Sequence, residues 1–565
     1  MKKLAHQTSL VAVVAGMMTL GGCGGGGGAG PQSYTVGGSV KGLSSGENVV
    51  LLENGGNALT VSANGSYSFA AGLDSGATYS VTVATQPAGQ TCTVAQGSGA
   101  VGAQSITGVA VTCTDNTFNV GGSITGLGAA SGLVLANGSD TFAVPAGATS
   151  FVMPTAVAHG SSYDVTVQVH PPGLNCVVTG GTGTIDAADV ASISVACAAG
   201  TVSILHTFPT GATDGEAPDG TLIQGSDGNF YGTTSGGGAS SEGTVFTITP
   251  AGSETVLHSF VNGTTDGASP SNHLVQASVG LFYGTTNAGG IFGYGTVFKI
   301  TSSGTETVLY SFAGGVVAGR QDGADPFGGL IEASDGDFYG TTSGGGANSV
   351  GTVFKVTPSG TESVLYSFAG GTTDGSTPDG GLIQASDGNF YGTTANGGAN
   401  NDGAVFKITP AGAETVLYFF AGGTADGAFP GDSLIQASDG NFYGTTYSGG
   451  ANGAGTVFKI TPGGTETVLY SFAGGTADGA NPQGSLFQAS DGNFYGTTTY
   501  GGASNQGTVF RITPAGVETV LYSFAGGTAD GANPVGSLIQ TSNGDFYGTT
   551  VYGGAGNYGI VFVLN

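Results

Sequence analysis

The chain of 565 residues contains no tryptophan, only nine lysines and arginines, and no sustained 3.6-residue apolar stripe beyond its first two dozen positions. Each lack excludes something. Without a stripe of that period there is no amphipathic helix to build on. Nine cations cannot assemble a basic patch against phosphates, which excludes nucleic acid as a partner. The 36 acidic residues leave a net charge of -27, scattered through loop-like segments, where it serves solubility or draws cations and basic partners.

Glycine is abundant, 112 residues, and it separates short runs of Thr, Val, Ser, Phe and Tyr. Such runs between glycine turns predict many short strands and an all-β chain. The five cysteines sort into two pairs of equal spacing, Cys92 with Cys113 and Cys176 with Cys197, and a single Cys23. Matched pairs predict two disulfides and therefore an oxidising compartment outside the cytoplasm. A zinc centre is the weaker alternative, because neither clustered histidines nor a CxxC spacing accompanies the thiols.

Met1 to Gly22 starts with Lys2 and Lys3, runs through an apolar core from Leu10 to Leu20 and ends in small residues. That is the pattern of a secretory signal, not of a spanning helix. The run Leu20-Gly21-Gly22-Cys23 resembles the lipobox of bacterial lipoproteins. The resemblance implies a signal peptide over 1–22, acylation of Cys23 and stable anchoring by more than one chain. Gly24, where an aspartate would retain the protein, implies the outer membrane, facing the periplasm or the outside. An ordinary cleaved signal with a chance cysteine is the alternative. Residues 23–33 read as a flexible glycine-rich tether.

Two related units follow. The first, 34–115, opens on YTVGGSVKGL and closes on VAVTC; the second, 117–198, opens on FNVGGSITGL and closes on SISVAC. Alternating short strands with Gly and Asn turns predict a small β-sandwich in each. They resemble immunoglobulin-like stalk modules of bacterial surface proteins, without the tryptophan of a true immunoglobulin domain.

From residue 200 to 565 one motif recurs, QASDGNFYGTT in its form at Gln488 to Thr498. Its tyrosine stands at Tyr231, Tyr283, Tyr339, Tyr391, Tyr443, Tyr495 and Tyr547, every 52 residues except for one step of 56. A fixed period of this size is the mark of a repeat architecture. Each unit reads as four strands, SLIQASDG, NFYGTT, GTVFKITP and GTETVLYSF, bounded by turns. One such sheet cannot cover both its faces, and radial packing of copies solves that problem. The expected fold is a seven-bladed β-propeller. The last unit lacks a VLYSF strand, and TVSILHTF ending at Phe208 matches it, so the N-terminal segment is expected to close the ring as an outer strand.

The combination of DGNFYGTT, GGGA, GTVFKITP and ETVLYSF over about Ser203 to Asn565 resembles the Gloeo/Verruco (GloVer) repeat of exported bacterial proteins with diverse anchors. The resemblance implies export and a repeat architecture; it implies no activity.

Four sets of residues invite a chemical reading. The Asp439-Gly440 turn and its counterparts could suggest calcium, but Asn543-Gly544 and Val279-Gly280 hold the same place, which points to turn chemistry. Lys299 with Glu306, and the same pair in later units, read as cross-hairpin scaffold. A ring of Asp214, Asp266, Asp322, Asp374, Asp426, Asp478 and Asp530 never loses its carboxylate; it reads as an acidic rim for cations or polar ligands, or as seven loop caps, and the capping reading is preferred. The loops of the same face carry Phe292, Tyr294, Tyr447, Tyr500, Tyr552 and Tyr558, with a four-residue insertion around Arg320. Aromatics on exposed loops stack on sugar faces or partner side chains.

An enzyme needs an asymmetric cluster of nucleophile, base or metal ligands. The repeat region holds only His206, His258 and His273 and no cysteine, and the first two occupy the slot of Tyr310. The expectation is therefore a monomeric, lipid-anchored binding module for a polysaccharide or a surface protein, with no metal or cofactor. A carboxylate-dependent glycan hydrolase or lyase is the alternative, and a purely structural envelope protein the second alternative.

Overall fold

The computed structural model describes residues 32–171, 174–199, 201–209, 214–270, 273–278, 280–317, 320–489 and 491–565. Cys23 and the signal segment lie outside them. Among the described residues the chain is all-β, and no helix is long and apolar enough to cross a membrane. It divides into two compact units, one reaching to Phe118 and including Val157–Ser161 and Thr184–Asp189, the other holding the remaining segments to Asn565.

The first unit contains two four-stranded sheets. One runs Gly65–Ser68, Val36–Lys41, Ile106–Asp115, Gln90–Ala95, and the other Asn57–Val61, Val49–Glu53, Thr78–Thr85, Ser98–Ala100. Val36, Val49, Leu51, Phe69, Val109 and Val111 are buried between them. Cys92 faces Cys113 across neighbouring strands and the two form a disulfide. The segments after Phe118 repeat the strand order, with Val120–Thr125 beside Val190–Ala199 and a Cys176–Cys197 disulfide joining the latter to Leu174–Thr179.

Among the described residues of the second unit, seven sheets after residue 200 share one plan, five of four strands and two with a fifth short strand. The fourth runs Ile383–Gln384, Phe390–Thr394, Ala404–Ile408, Glu414–Phe419, all antiparallel. Every residue of Phe390–Thr394 is buried, as expected of a strand covered on both faces. Gly392 is required there, because a Cβ would meet the Phe406 ring at 2.8 Å and Leu382 at 3.0 Å. The core lies between sheets: Tyr391, Val405 and Phe420 of the fourth pack on Phe442, Phe458 and Ile460 of the fifth. A sheet folded alone would leave these aromatics in water.

Six tyrosine–phenylalanine stacks join the sheets in sequence, from Tyr231–Phe282 to Tyr495–Phe546, and a seventh, Phe230–Tyr547, joins the last back to the first. The sheets thus form a closed, propeller-like ring. In the last of them Val202–Thr207 pairs with Ile560–Leu564, so the outermost strand comes from the start of the repeat region and the other three from its end. The final turn also has a task its counterparts lack: Asn543 O accepts a hydrogen bond from His170 N at 2.8 Å.

Candidate functional site

The chain passes from the outer strand of one sheet to the inner strand of the next through an Asp-Gly-x-x-Pro crossover. Its aspartate is a cap. Asp374 Oδ1 accepts from Gly375 N at 2.7 Å, and Oδ2 from Ala369 N at 2.6 Å and Tyr366 Oη at 3.0 Å. The same donor set converges on Asp322, Asp426, Asp478 and Asp530. At Asp214 and Asp266 a histidine takes the place of the tyrosine. All seven carboxylates are buried, between 5 and 9% exposed. They hold the crossover's shape and present no acidic rim to solvent.

The cross-hairpin pairing of lysine with glutamate does not form. Register sets Lys299 opposite Thr307 and Ile300 opposite Glu306, and residues one step apart leave a strand on opposite faces. Lys355, Lys407 and Lys459 reach the turn aspartates Asp335, Asp387 and Asp439 at 3.0, 2.8 and 2.8 Å. Those aspartates also accept from Tyr339, Tyr391 and Tyr443, which accounts for the turn without calcium.

Beyond each capping aspartate the crossover runs toward the middle of the ring. A residue with left-handed backbone precedes each proline: Ala217, Ser269, Asp325, Thr377, Phe429, Asn481 and Asn533, all with φ between 51° and 56°. This turn delivers the residue after the proline to a single cavity of about 480 Å³. Asp219, Phe327, Asp379, Gly431, Gln483 and Val535 line it, with Tyr447 and Val551 from the positions that follow FYGTT. Six of the seven sheets contribute, which is geometrically feasible only at the axis of the ring.

The cavity combines apolar faces and acids. Phe327 is 47% exposed and Phe429 39%, and Tyr447 stands with them. Burial pushes the carboxyls of Asp219 and Asp379 up to about 6. Asp432, at the floor, accepts from Ser433 N at 2.7 Å, Ser485 N at 3.3 Å and Ser537 Oγ at 3.5 Å, thereby joining three sheets. Ser537 N donates to Thr221 Oγ1 at 2.9 Å. Burial holds the pKa of His273, from the second repeat, below the ordinary value, against the opposing effect of the Asp432 charge. An asymmetric cluster of Asp432 with Ser433, Ser485 and Ser537 therefore exists beside the cavity.

Of the loop aromatics singled out from sequence, only Tyr447 lines the axial cavity. Tyr552 lines a separate cavity with Gln506 and Asn533. Tyr500 is 40% exposed, and Tyr558 packs against the cluster around Phe208. Phe292 borders an outer cavity of about 750 Å³ with Ile291, Glu306 and Tyr310; this one is larger but is built from neighbouring repeats on the ring's flank. Tyr294 is exposed, with its ring against Gly314. Arg320 lies in an inserted hairpin, Gly315–Val317 with Arg320–Ala324, and its backbone pairs with Val317.

The axial lining was available in the sequence as variability. Aligned on the proline, the next residue reads Asp219, Ser271, Phe327, Asp379, Gly431, Gln483, Val535, and the residue after FYGTT reads Ser235, Asn287, Ser343, Ala395, Tyr447, Thr499, Val551. In a repeat otherwise nearly uniform, these are the slots released from packing.

The Gloeobacter/Verrucomicrobia repeat family matches at residues 173–385 and 371–562. No curated protein matches the chain. Among solved structures, virginiamycin B lyase from Staphylococcus aureus is similar at 15% identity, over 65% of this chain and 99% of that one, with a TM-score of 0.44. The extracellular domain of a hybrid two-component system from B. thetaiotaomicron is similar at 11% identity and a TM-score of 0.41, covering 67% of this chain and 43% of that one. A gluconolactonase from Xanthomonas campestris gives 12% identity, 65% and 89% coverage and a TM-score of 0.33. At these scores no ligand or reaction passes to this chain.

Proposed function

This chain belongs to the Gloeobacter/Verrucomicrobia repeat family, and from that premise we propose that it is an exported, lipid-anchored protein whose seven-bladed β-propeller, 200–565, binds a polysaccharide in its axial mouth. Cys23 carries the anchor at the outer membrane, and two immunoglobulin-like sandwich modules, 34–115 and 117–198, form the stalk of a monomer. The family and the two disulfides support export.

One observation carries the binding reading. Phe327 from one sheet and Phe429 and Tyr447 from another meet in one cavity beside Asp219, Asp379 and Asp432. Sugar rings offer an apolar face to aromatics and hydroxyl groups to carboxylates, so stacking and hydrogen bonding are available together. The test is retention of the full chain on a panel of bacterial and plant polysaccharides, with assay for released products. Retention lost in Tyr447→Ala and Phe327→Ala, and kept in Tyr500→Ala and Tyr552→Ala, is the expected result. Retention on none of them overturns the glycan reading and leaves a surface-protein partner or a structural role.

A specific observation favours the enzymatic alternative. Asp219 and Asp379 have carboxyls pushed up to about 6, which suits a general acid working beside a second carboxylate in glycan cleavage. Oligosaccharides released by the wild type, and not by Asp219→Asn or Asp379→Asn, would make the protein a hydrolase or lyase.

A further inference from the structure

The outer strands carry tyrosine at Tyr310, Tyr366, Tyr418, Tyr470 and Tyr522, and histidine in the same slot at His206 and His258. Where it is tyrosine, the hydroxyl donates to the capping aspartate at 2.9–3.0 Å. His206 does not reproduce that bond, and His258 makes only a longer one. His206 Nε2 is 4.0 Å from Asp214 Oδ2, is buried, and finds no hydrogen-bond partner in the protein. His258 Nε2 stands 3.3 Å from both oxygens of Asp266, longer than the tyrosine bonds and equidistant.

A third group faces each pair from the next sheet. Glu254 meets His206 and Asp214, and Glu306 meets His258 and Asp266; within each trio the ligand atoms all lie within 4.8 Å of one another. Glu254 Oε1 and Glu306 Oε1 are buried and also lack partners. The Gly252 backbone adjoins the His206 ring, and a backbone carbonyl beside the ring is the usual outer support of a ligating histidine.

We infer that these are two transition-metal sites, each taking one dication such as Zn²⁺ through one imidazole nitrogen and two carboxylates, with water completing the shell. Metal–ligand bonds of about 2.0–2.2 Å span donor atoms about 3.3–3.5 Å apart in a tetrahedron, the range in which His258 and Asp266 stand. The imidazole favours zinc-like ions over calcium or magnesium. The sites lie at successive sheet boundaries. The first ties the closing strand Val202–Thr207, whose own sheet joins the start of the repeat region to its end, to Glu254–Ser259 of the neighbouring sheet.

The test is calorimetric titration of the full, chelator-stripped chain with Zn²⁺, alongside His206→Tyr, His258→Tyr and the double variant. Tyrosine is the residue five other repeats use in this slot, so the variants keep the fold, and near-ultraviolet circular dichroism verifies it. Each single variant is expected to bind one Zn²⁺ fewer than the wild type and the double variant two fewer. Zn²⁺ should raise the wild-type Tm by several degrees and that of the double variant by less than one degree. Glu254→Gln and Glu306→Gln, which preserve side-chain shape, should each weaken one site at least tenfold. Equal stoichiometry in all variants, or displacement of Zn²⁺ by equimolar Ca²⁺, would overturn the assignment.

Discussion

Phe230 stacks on Tyr547 with ring centroids 4.3 Å apart and an interplanar angle of 29°. Tyr391 stacks on Phe442 at 4.1 Å and 29°. The first pair joins sheets from opposite ends of the repeat region, the second joins sheets adjacent in sequence, and the geometry is the same. Closure is therefore made by the same packing as every other boundary. Phe230→Ala and Phe442→Ala should each cost about 3–5 kcal/mol, and the two should agree within about 1 kcal/mol. Denaturant unfolding measures both. A closure pair worth much less than the internal pair would mean that the ring is open in solution.

The residues with left-handed backbone before the prolines separate packing from function. Phe429 adopts φ 56° where Asn481 and Asn533 adopt 55° and 54°. Asparagine tolerates this conformation and phenylalanine does not. The two asparagines also donate to Tyr447 O and Thr499 O at 2.9 and 3.0 Å. An asparagine at 429 would reach the corresponding carbonyl of Ala395. Phe429→Asn should therefore stabilise the protein by about 1 kcal/mol and weaken polysaccharide retention. A phenylalanine whose replacement improves both properties would have no binding role.

The capping aspartates should behave as structure. Asp374→Ala strands the Gly375 and Ala369 amides and the Tyr366 hydroxyl, three donors in a buried crossover. The expected cost is about 2–4 kcal/mol by thermal melting, with retention unchanged below the transition. Loss of binding in a fully folded variant would restore a ligand role to this ring.

The period of Tyr231 to Tyr547, the glycine turns and the odd strand before Phe208 made the ring legible in the sequence, because packing dictated those residues. The charge pattern misled wherever sequence proximity stood in for facing. Lys299 and Glu306 flank one turn yet leave the hairpin on opposite faces. The axial mouth was harder to see because its members, Asp219, Phe327 and Tyr447, lie far apart in the chain and share no residue type. They occupy two recurring slots, the residue after the proline and the residue after FYGTT, and only the convergence of six repeats brings them together.

The outer glutamates predict an acid-favouring stability profile. Burial first, then the charges of Asp374, Asp426 and Asp478, push Glu414, Glu466 and Glu518 up to about 7 from an ordinary 4.5. Between those values the folded state holds protons that the unfolded chain releases, so their contribution is complete below 4.5 and is lost as pH rises through 7. Asp387 and Asp439 run the other way. Burial raises them, but hydrogen bonds from Lys407 and Lys459 and from Asn389 and Asn441 prevail and hold both well below the usual carboxylate range. Their contribution is present at neutral pH and is lost only in strong acid. Tm should therefore be higher at about pH 5.5 than at about pH 8, by several degrees, and fall again in strong acid. Replacing Glu414, Glu466 and Glu518 together by glutamine should remove more than half of the decline between pH 5.5 and 8. A wild-type Tm that is flat across that interval would mean that the three carboxyls are solvated in the folded ring, and the boundary packing described for the outer strands would be wrong.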